Sequence, residues 1–366
     1  MKTKSRPKES IRGAFTALAG VLILFGILGF FEETGKINSY VSGILIQCCY
    51  ATIMVTSLNI ATGFLGQTAL GHAGFMAVGA YTSALVSKAL INAGVFTTVG
   101  MSGFALFMIA LCCGAVMAAL FGMIVGIPAL RLRGDYLAII TLGFGEIIRI
   151  IIQNLKIAGG KGLSQGQAGQ ALIGIPKFNN LYIVFSITVI SVAILYTFVR
   201  SKYGRAITAI RDDDIAAASV GLNTTYYKVL AFTVSALFAG IAGAIFAHRG
   251  LGTLQHNDFS FLKSTEYVIM VIIGGMGSLT GSIIAAVVLS VLPELLRTFA
   301  EYRMLVYSVA LIIMMIFRPT GIAGRYEFSL YQFIKSIPSM MRRLVKRGKN
   351  GSTVKNKRLK GEENNG

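Results

Sequence analysis

The residues best suited to contact another protein lie in a polar stretch between two apolar segments. Three consecutive acids, Asp212, Asp213 and Asp214, are followed by a run of alanines and by Gly221. Acids at a helix start accept its free backbone N–H groups, and glycine commonly ends a helix. The pattern predicts a short helix with a small-residue surface that fits a groove in a partner protein. The alternative is a surface helix that only links two segments. The candidate contact residues are Arg205, Arg211, Asp212, Asp213, Asp214, Ala216, Ala217 and Gly221.

A second group of polar residues lies within apolar segments. Glu146 and Arg149 are three positions apart, so they share one helix face and can form an ion pair. The pair forms a polar patch or gate on a solute pathway, or it is a neutralised structural pair, or its members are partners for a neighbouring helix. Gln67 and His72 flank a glycine-rich break, where they either satisfy free backbone groups or contact a solute. The candidate pathway residues are Gly66, Gln67, His72, Thr141, Glu146 and Arg149.

The sequence contains no arrangement that indicates an enzyme. In residues 159–164, GGKGLS, the lysine is followed by glycine, whereas a nucleotide-binding P-loop has serine or threonine there to reach Mg²⁺. The histidines, His72, His248 and His256, lack the spacing of metal ligands. No nucleophile stands beside a candidate base. We therefore expect no catalytic residue, no metal site and no cofactor bound by this chain.

The composition is typical of a helical membrane protein. Of the 366 residues, 54% are hydrophobic and 13% are charged, and the mean hydropathy is +0.70. Soluble domains carry about 25% charged residues. The repeated apolar runs predict an all-α polytopic integral membrane protein with about ten transmembrane helices, or between eight and ten. The expected helices are at residues 13–31 (an uncleaved first helix), 41–60, 76–90, 99–130, 136–155, 181–199 and 229–247, two short helices within 266–297, and 304–317.

Some apolar segments carry local features that refine this prediction. The segment 99–130 is long enough to be tilted or interrupted near residues 114–126, and Pro128 is expected to mark its end. The sequence GGMGSLTG at 274–281 is expected to separate the two short helices. The vicinal cysteine pairs at 48–49 and 112–113 lie in apolar runs, so we interpret them as small core residues and not as disulfides.

The positive charge predicts the orientation in the membrane. The net charge is +19, and Lys and Arg are concentrated in residues 1–12, 131–133, 200–228 and 318–366. Loops rich in Lys and Arg stay in the cytoplasm, and ten crossings bring these segments and both termini to that side. Nucleic-acid binding is the other explanation, and attraction to anionic lipid is favoured over it. The expected divisions are a basic cytoplasmic N-terminus (1–12), a membrane domain (13–324) with a cytoplasmic polar segment (200–228), and a basic, disordered cytoplasmic tail (325–366).

Five motifs resemble one family of transport proteins, in the family's order. The stretch GRAITAIRDDDIAAASVGLN (204–223) resembles the coupling motif of the LivM-type permease of branched-chain amino acid ABC importers. Asp214 stands where that family commonly has Glu, and the loop AGGKGLSQGQ is one residue shorter than the family pattern. The other similar segments are LNIATGFLGQTALGHAGFMAVGAYTSAL (58–85), GDYLAIITLGFGEIIR (134–149), GGMGSLTGSIIAA (274–286) and FRPTGIAG (317–324).

The resemblance implies a permease subunit of an ATP-driven importer of leucine, isoleucine and valine in the bacterial cytoplasmic membrane. It implies a homologous second permease of LivH type, an extracytoplasmic amino-acid-binding protein and two cytoplasmic ABC ATPase subunits. Those ATPases would use ATP and Mg²⁺ and would grip residues 212–221. Two alternatives remain: an importer of the same class for urea, amides or other amino acids, and an ATP-independent channel or facilitator. In a facilitator, changes in residues 204–223 would leave the flux intact.

Overall fold

The computed structural model describes most of residues 38–296, which belong to the compact unit Gly35–Glu327. The gaps are residues 95, 98–99, 131, 133, 158–160, 163–170, 179 and 251, and residues 302, 308–309, 312 and 321 are also described. The predicted first helix at 13–31 and the terminal segments 1–12 and 325–366 lie outside the described residues. So does most of the predicted last helix at 304–317.

The described chain is built of α-helices with two small pairs of strands. A π-helical turn, Ile60–Phe64, continues the first helix, and a 3-10 turn, His256–Phe259, precedes the ninth. Strands β1 and β2 pair antiparallel, as do β3 and β4, and these short strands are the exception to the all-α prediction. The helices are α1 Ser39–Asn59, α2 His72–Asn92, α3 Gly100–Ala129, α4 Asp135–Asn154, α5 Leu181–Arg200, α6 Lys202–Asp212, α7 Asp214–Ser219, α8 Thr224–Ala247, α9 Phe261–Gly274 and α10 Leu279–Leu295; the strands are β1 Lys156–Ile157, β2 Lys161–Gly162, β3 Ala171–Ile173 and β4 Thr253–Gln255.

Six of the described helices are long and apolar enough to cross a membrane. They are α1 with its π-helical turn, α2, α3, α4, α5 and α8. This confirms a polytopic helical membrane protein. The helices α9, with 14 residues, and α10, with 17 residues, are shorter and are separated at Gly275–Ser278, as the sequence predicts. The total of about ten crossings stays a prediction.

Helix α1 lies in the core, where it contacts α5, α8, α9 and α10. Its middle residues Ile53, Met54 and Val55 are fully buried. On one side α2, α3 and α8 pack closely through small residues: a Cβ added to Gly79 of α2 would lie 2.4 Å from the Cα of Gly240 in α8. Small residues allow such close approach between membrane helices, which gives them extensive van der Waals contact.

The structure decides between the alternatives for α3. The helix is continuous over 30 residues, without an interruption at 114–126, because its glycines there pack against neighbouring helices instead of breaking the helix. Pro128 lies one residue before the last helical residue, Ala129, so it marks the helix end to within one residue, as predicted. The interpretation of the cysteines holds for Cys48 and Cys49, which are buried, and is wrong for Cys112, which is exposed on the outer face of α3.

Two helices begin earlier than the apolar pattern indicates. Helix α8 starts at Thr224 because the Asn223 side chain accepts a hydrogen bond from the backbone N–H of Tyr226 and caps the polar first turn. Helix α9 starts at Phe261. Its first turns contain Lys263 and Glu266, which hydropathy alone would place outside an apolar helix, but the two side chains form an ion pair and neutralise each other.

Candidate coupling site

Helices α6 and α7 form the polar segment between α5 and α8. The acids in it have separate roles: Asp212 ends α6, Asp213 caps α7, and Asp214 is the first residue of α7. The Oδ1 atom of Asp213 accepts hydrogen bonds from the backbone N–H groups of Ile215 and Ala216, both at 2.9 Å. The short helix is therefore confirmed, although only two of the three acids serve its start.

Gly221 ends α7 in the way that the sequence predicts. Its φ of +86° is in the left-handed region that favours glycine. The backbone N–H of Leu222 donates to the carbonyl of Ala217 at 3.2 Å, and that of Gly221 donates to Ala218 at 3.0 Å. These two bonds form a Schellman motif, which satisfies the last carbonyls of the helix.

Replacing Gly221 with alanine should loosen this helix end. The left-handed conformation costs an alanine about 1 kcal/mol, which corresponds to roughly fivefold more opening. We expect amide hydrogen exchange at residues 221 and 222 to accelerate by about that factor. Gly221→Asn is the matched control, because asparagine tolerates this conformation better than alanine. Equal exchange in the wild type and Gly221→Ala would contradict the assigned role.

An ion pair ties α7 to the membrane-spanning helix α8. The Nζ atom of Lys228 lies 2.7 Å from Oδ2 of Asp214, and both side chains are largely shielded from solvent. Shielded ion pairs are less screened by salt than exposed ones. The pair therefore joins α7 to the second turn of α8.

The outer surface of α7 is more apolar than the alanine run indicates. Ile215 and Val220, at the two ends of the helix, are each 76% exposed. Ala216 is exposed, but Ala217 is buried against the protein, so Ala217 supports the helix from inside. Ile215 and Val220 were not among the predicted contact residues, although two apolar residues that bracket the alanines are a visible signal in the sequence. Arg205 is exposed on α6.

Arg211 connects α6 to the end of α1. Its Nη1 donates a hydrogen bond of 3.0 Å to the carbonyl oxygen of Gly63, in the π-helical turn. Its Nε and Nη2 donate to Oδ1 of Asp212 at 3.2 and 3.0 Å, which orients the guanidinium. A Cβ added to Gly66, whose φ is +75°, would lie 2.5 Å from Cγ of Arg211. A candidate contact residue and a candidate pathway residue thus pack against each other.

Asn59 joins the same end of α1 to the break between α9 and α10. Its fully buried side chain accepts a hydrogen bond from the backbone N–H of Gly277 at 2.9 Å. Its Nδ2 donates to the carbonyl of Ser278 at 2.9 Å and to Oγ of Ser282 at 2.7 Å. We call Arg211, Gly63, Asn59 and Gly277 the coupling joint. Asn59 was not among the predicted site residues, although an amide within an apolar run is a visible signal in the sequence.

Replacing Asn59 with leucine should destabilise the protein. The change removes every hydrogen bond of this amide in a buried site, and an unsatisfied buried group costs about 1–3 kcal/mol. We expect the detergent-solubilised protein to unfold at a clearly lower temperature. Thr56→Val is the matched control, since among the described residues the buried Thr56 hydroxyl bonds to the carbonyls of Thr52 and Ile53, both in its own helix. Equal unfolding temperatures for the two variants would argue against this role of Asn59 in the coupling joint.

The candidate pathway residues near the start of α2 lie in protein contacts. The buried His72 has Nε2 at 3.2 Å from Oγ of Ser57. The hydroxyl of Thr141 accepts a hydrogen bond of 3.1 Å from the backbone N–H of Leu70, so it satisfies backbone in the glycine-rich break. Gln67 is half-buried, and its Oε1 accepts no hydrogen bond from any described residue. Their part in a solute pathway stays a prediction.

Glu146 and Arg149 form the ion pair that their spacing predicts. The Nε atom of Arg149 donates to Oε2 of Glu146 at 2.6 Å. The other carboxylate oxygen accepts a hydrogen bond of 3.0 Å from the backbone N–H of Phe261, the first residue of α9. The pair therefore also links α4 to α9. The role of this pair as a gate on a solute pathway stays a prediction.

The described residues of this site provide a surface on which a partner can bind and hydrogen bonds that join neighbouring helices. Within the described ranges, no three His, Cys, Asp or Glu side chains come together as metal ligands. The groups that do come together are an exposed apolar surface on α7, the Asp214–Lys228 ion pair and the coupling joint. Such an arrangement can bind a partner and transmit its movement to the membrane helices.

Comparisons with known proteins identify the family. A family model described as the permease component of the branched-chain amino acid transport system matches residues 40–317. The chain is 39% identical over 298 residues to the high-affinity branched-chain amino acid transport system permease protein LivM of Salmonella typhimurium, an alignment that covers 74% of this chain and 67% of that protein. It is 25% identical over 306 residues to LivH of Escherichia coli K12, with 78% and 94% covered, and 22% identical over 323 residues to a probable LivM of Methanocaldococcus jannaschii, with 77% and 92% covered. No solved structure matches the chain. The resemblance found in the sequence is thereby confirmed, and the chain belongs to the family of permease components of branched-chain amino acid transport systems.

Proposed function

We propose that this chain is one permease subunit of an ATP-driven importer of leucine, isoleucine and valine. The observation that carries the proposal is the 39% identity to LivM over 74% of the chain. The weaker similarity to LivH, which covers 94% of that protein, supports a homologous second permease as the partner with which the pathway is formed. An extracytoplasmic binding protein delivers the amino acid to this pair.

The proposed orientation has both termini and the coupling segment 200–228 in the cytoplasm of a bacterium. The apolar segments 13–31 and 304–317, which lie wholly or mostly outside the described residues, and the short helices α9 and α10 bring the six described spans to about ten crossings. The Lys and Arg excess in residues 131–133 and 200–228 supports this side for both segments.

In the proposed mechanism, two ATPase subunits bind α7 and move it. The sequence has no P-loop, so ATP and Mg²⁺ are used by those partners. Closing of the ATPase pair displaces α7 and α6 together. The Asp214–Lys228 pair carries this movement to α8, and the coupling joint carries it to α1 and to the α9–α10 break. The membrane helices then alternate between outward-open and inward-open arrangements.

Uptake by the assembled complex tests the proposal. Proteoliposomes that contain both permeases and the ATPases are supplied with the binding protein and radiolabelled leucine. We expect leucine to accumulate only when ATP is present on the ATPase side, and isoleucine and valine to compete. Equal flux with and without ATP would favour a facilitator instead. Uptake that urea or acetamide blocks, and leucine does not, would assign another solute within the same importer class.

A further inference from the structure

A cavity of about 330 Å³ opens where the first half of α1, the end of α8, the 3-10 turn and the start of α9 meet. It is separate from the coupling joint and from the contacts of His72 and Thr141. The buried Tyr50 closes one wall, and Leu262, which is 77% exposed, stands at its open side. Its volume lies at the lower end of the range for small-molecule sites, about 300–1,000 Å³.

The cavity contains a cation that no described carboxylate neutralises. The guanidinium of Arg249 stacks over the ring of Phe246, with 3.9 Å between Cζ and the ring centroid. Its Nη1 donates to the hydroxyl of Tyr50 at 3.2 Å. No ion pair joins it to a carboxylate of the described chain. Arg249 is therefore held in place by neutral groups, and its remaining N–H donors suit the two oxygens of a carboxylate.

The same cavity contains an anion that no described cation neutralises. Oδ2 of Asp258 accepts a hydrogen bond of 3.3 Å from the backbone N–H of Gln255 and forms no ion pair within the described chain. The other two charges, Lys263 and Glu266, neutralise each other at 2.7 Å. A fixed cation and a fixed anion thus line one open cavity, and each retains the capacity for a charged partner.

We infer that this cavity is a transit site that binds a free α-amino acid by its zwitterionic head group. The α-carboxylate binds Arg249, the α-ammonium binds Asp258, and an aliphatic side chain lies toward Leu262. A neutral solute such as urea would leave both charges uncompensated, so the cavity favours amino acids over the other solutes considered for this chain. The inference deepens the proposed function and rests on it for the class of solute.

Binding of leucine to the permease pair, without the binding protein, tests the inference. Radiolabelled leucine is titrated onto the detergent-solubilised complex by equilibrium dialysis, with leucinol and 4-methylpentanoate as competitors that each lack one charge. A hydrogen bond to a charged group contributes enough that Arg249→Gln and Asp258→Asn should each weaken binding by about tenfold or more. Lys177→Gln, which removes an exposed charge outside the cavity, is expected to leave leucine binding unchanged.

The possible results distinguish a failure of the transit site from a failure of the proposed function. Saturable leucine binding that falls in both cavity variants, with weak competition by both analogues, supports the site. ATP-driven uptake without any saturable leucine binding would overturn the site and leave the proposed function intact. If both variants bind leucine normally but no longer bind the binding protein, the cavity is a docking surface for that protein and the transit site is overturned. If wild-type uptake fails, the proposed function fails, and the dialysis still decides whether the cavity binds leucine.

Discussion

Replacing Arg211 with alanine is expected to remove most leucine uptake while the ATPase subunits stay bound. The guanidinium of Arg211, in α6, donates a hydrogen bond to the carbonyl of Gly63 at the end of α1. A hydrogen bond from a charged group contributes about 1.5–3 kcal/mol. A loss of that size in the coupling free energy lowers the uptake for each ATP hydrolysed by about tenfold or more. Parallel assays of leucine uptake and ATP hydrolysis in proteoliposomes measure this ratio.

Two further variants make the Arg211 prediction specific. Arg211→Lys keeps the charge but lacks the planar fork, so we expect partial recovery of the ratio. Lys202→Ala removes an exposed cation from the start of α6 and should leave the ratio near that of the wild type. If Arg211→Ala hydrolyses ATP and transports leucine with the wild-type ratio, the coupling joint does not transmit the movement.

Replacing Ile215 or Val220 with aspartate is expected to weaken ATPase binding by about a hundredfold. Both side chains are 76% exposed at the ends of α7. Burying such a side chain in a partner groove contributes about 1.5–3 kcal/mol, and an unpaired carboxylate in its place costs more. The affinity of the purified permease pair for the ATPase subunits, measured by surface plasmon resonance, gives the effect directly.

A charge-matched change controls for surface electrostatics. Thr225→Asp adds one negative charge at an exposed position in the first turn of α8, where an acid favours the helix start. We expect nearly unchanged ATPase affinity for this variant. Wild-type affinity in both Ile215→Asp and Val220→Asp would show that the ATPase binds elsewhere.

Local sequence patterns were sufficient to predict the membrane spans, the end of α7 and one ion pair. Apolar length identified the spans α1 to α5 and α8, because each run must bury itself in lipid or protein. Gly221 was identified as the end of α7 because the left-handed turn there needs glycine. The Glu146–Arg149 pair followed from helix spacing alone.

The coupling joint could not be predicted, because its partners are far apart in the sequence. Nothing in the local pattern of α6 indicates that Arg211 reaches Gly63, or that Asn59 binds Gly277. The same limit explains why the sequence left two alternatives open for α3. A glycine in an apolar helix can mark a break or a close contact, and only the neighbouring helices, here α2 and α8, decide between them.

Site-specific photo-crosslinking tests the central claim that α7 is the surface on which the ATPase acts. A photoreactive amino acid is introduced at Ile215 in one sample and at Ile139, an exposed position of the membrane helix α4, in the other. In the assembled complex, we expect a crosslink to the ATPase subunit from position 215 and none from position 139. A crosslink to the ATPase from position 139, with none from position 215, would contradict it.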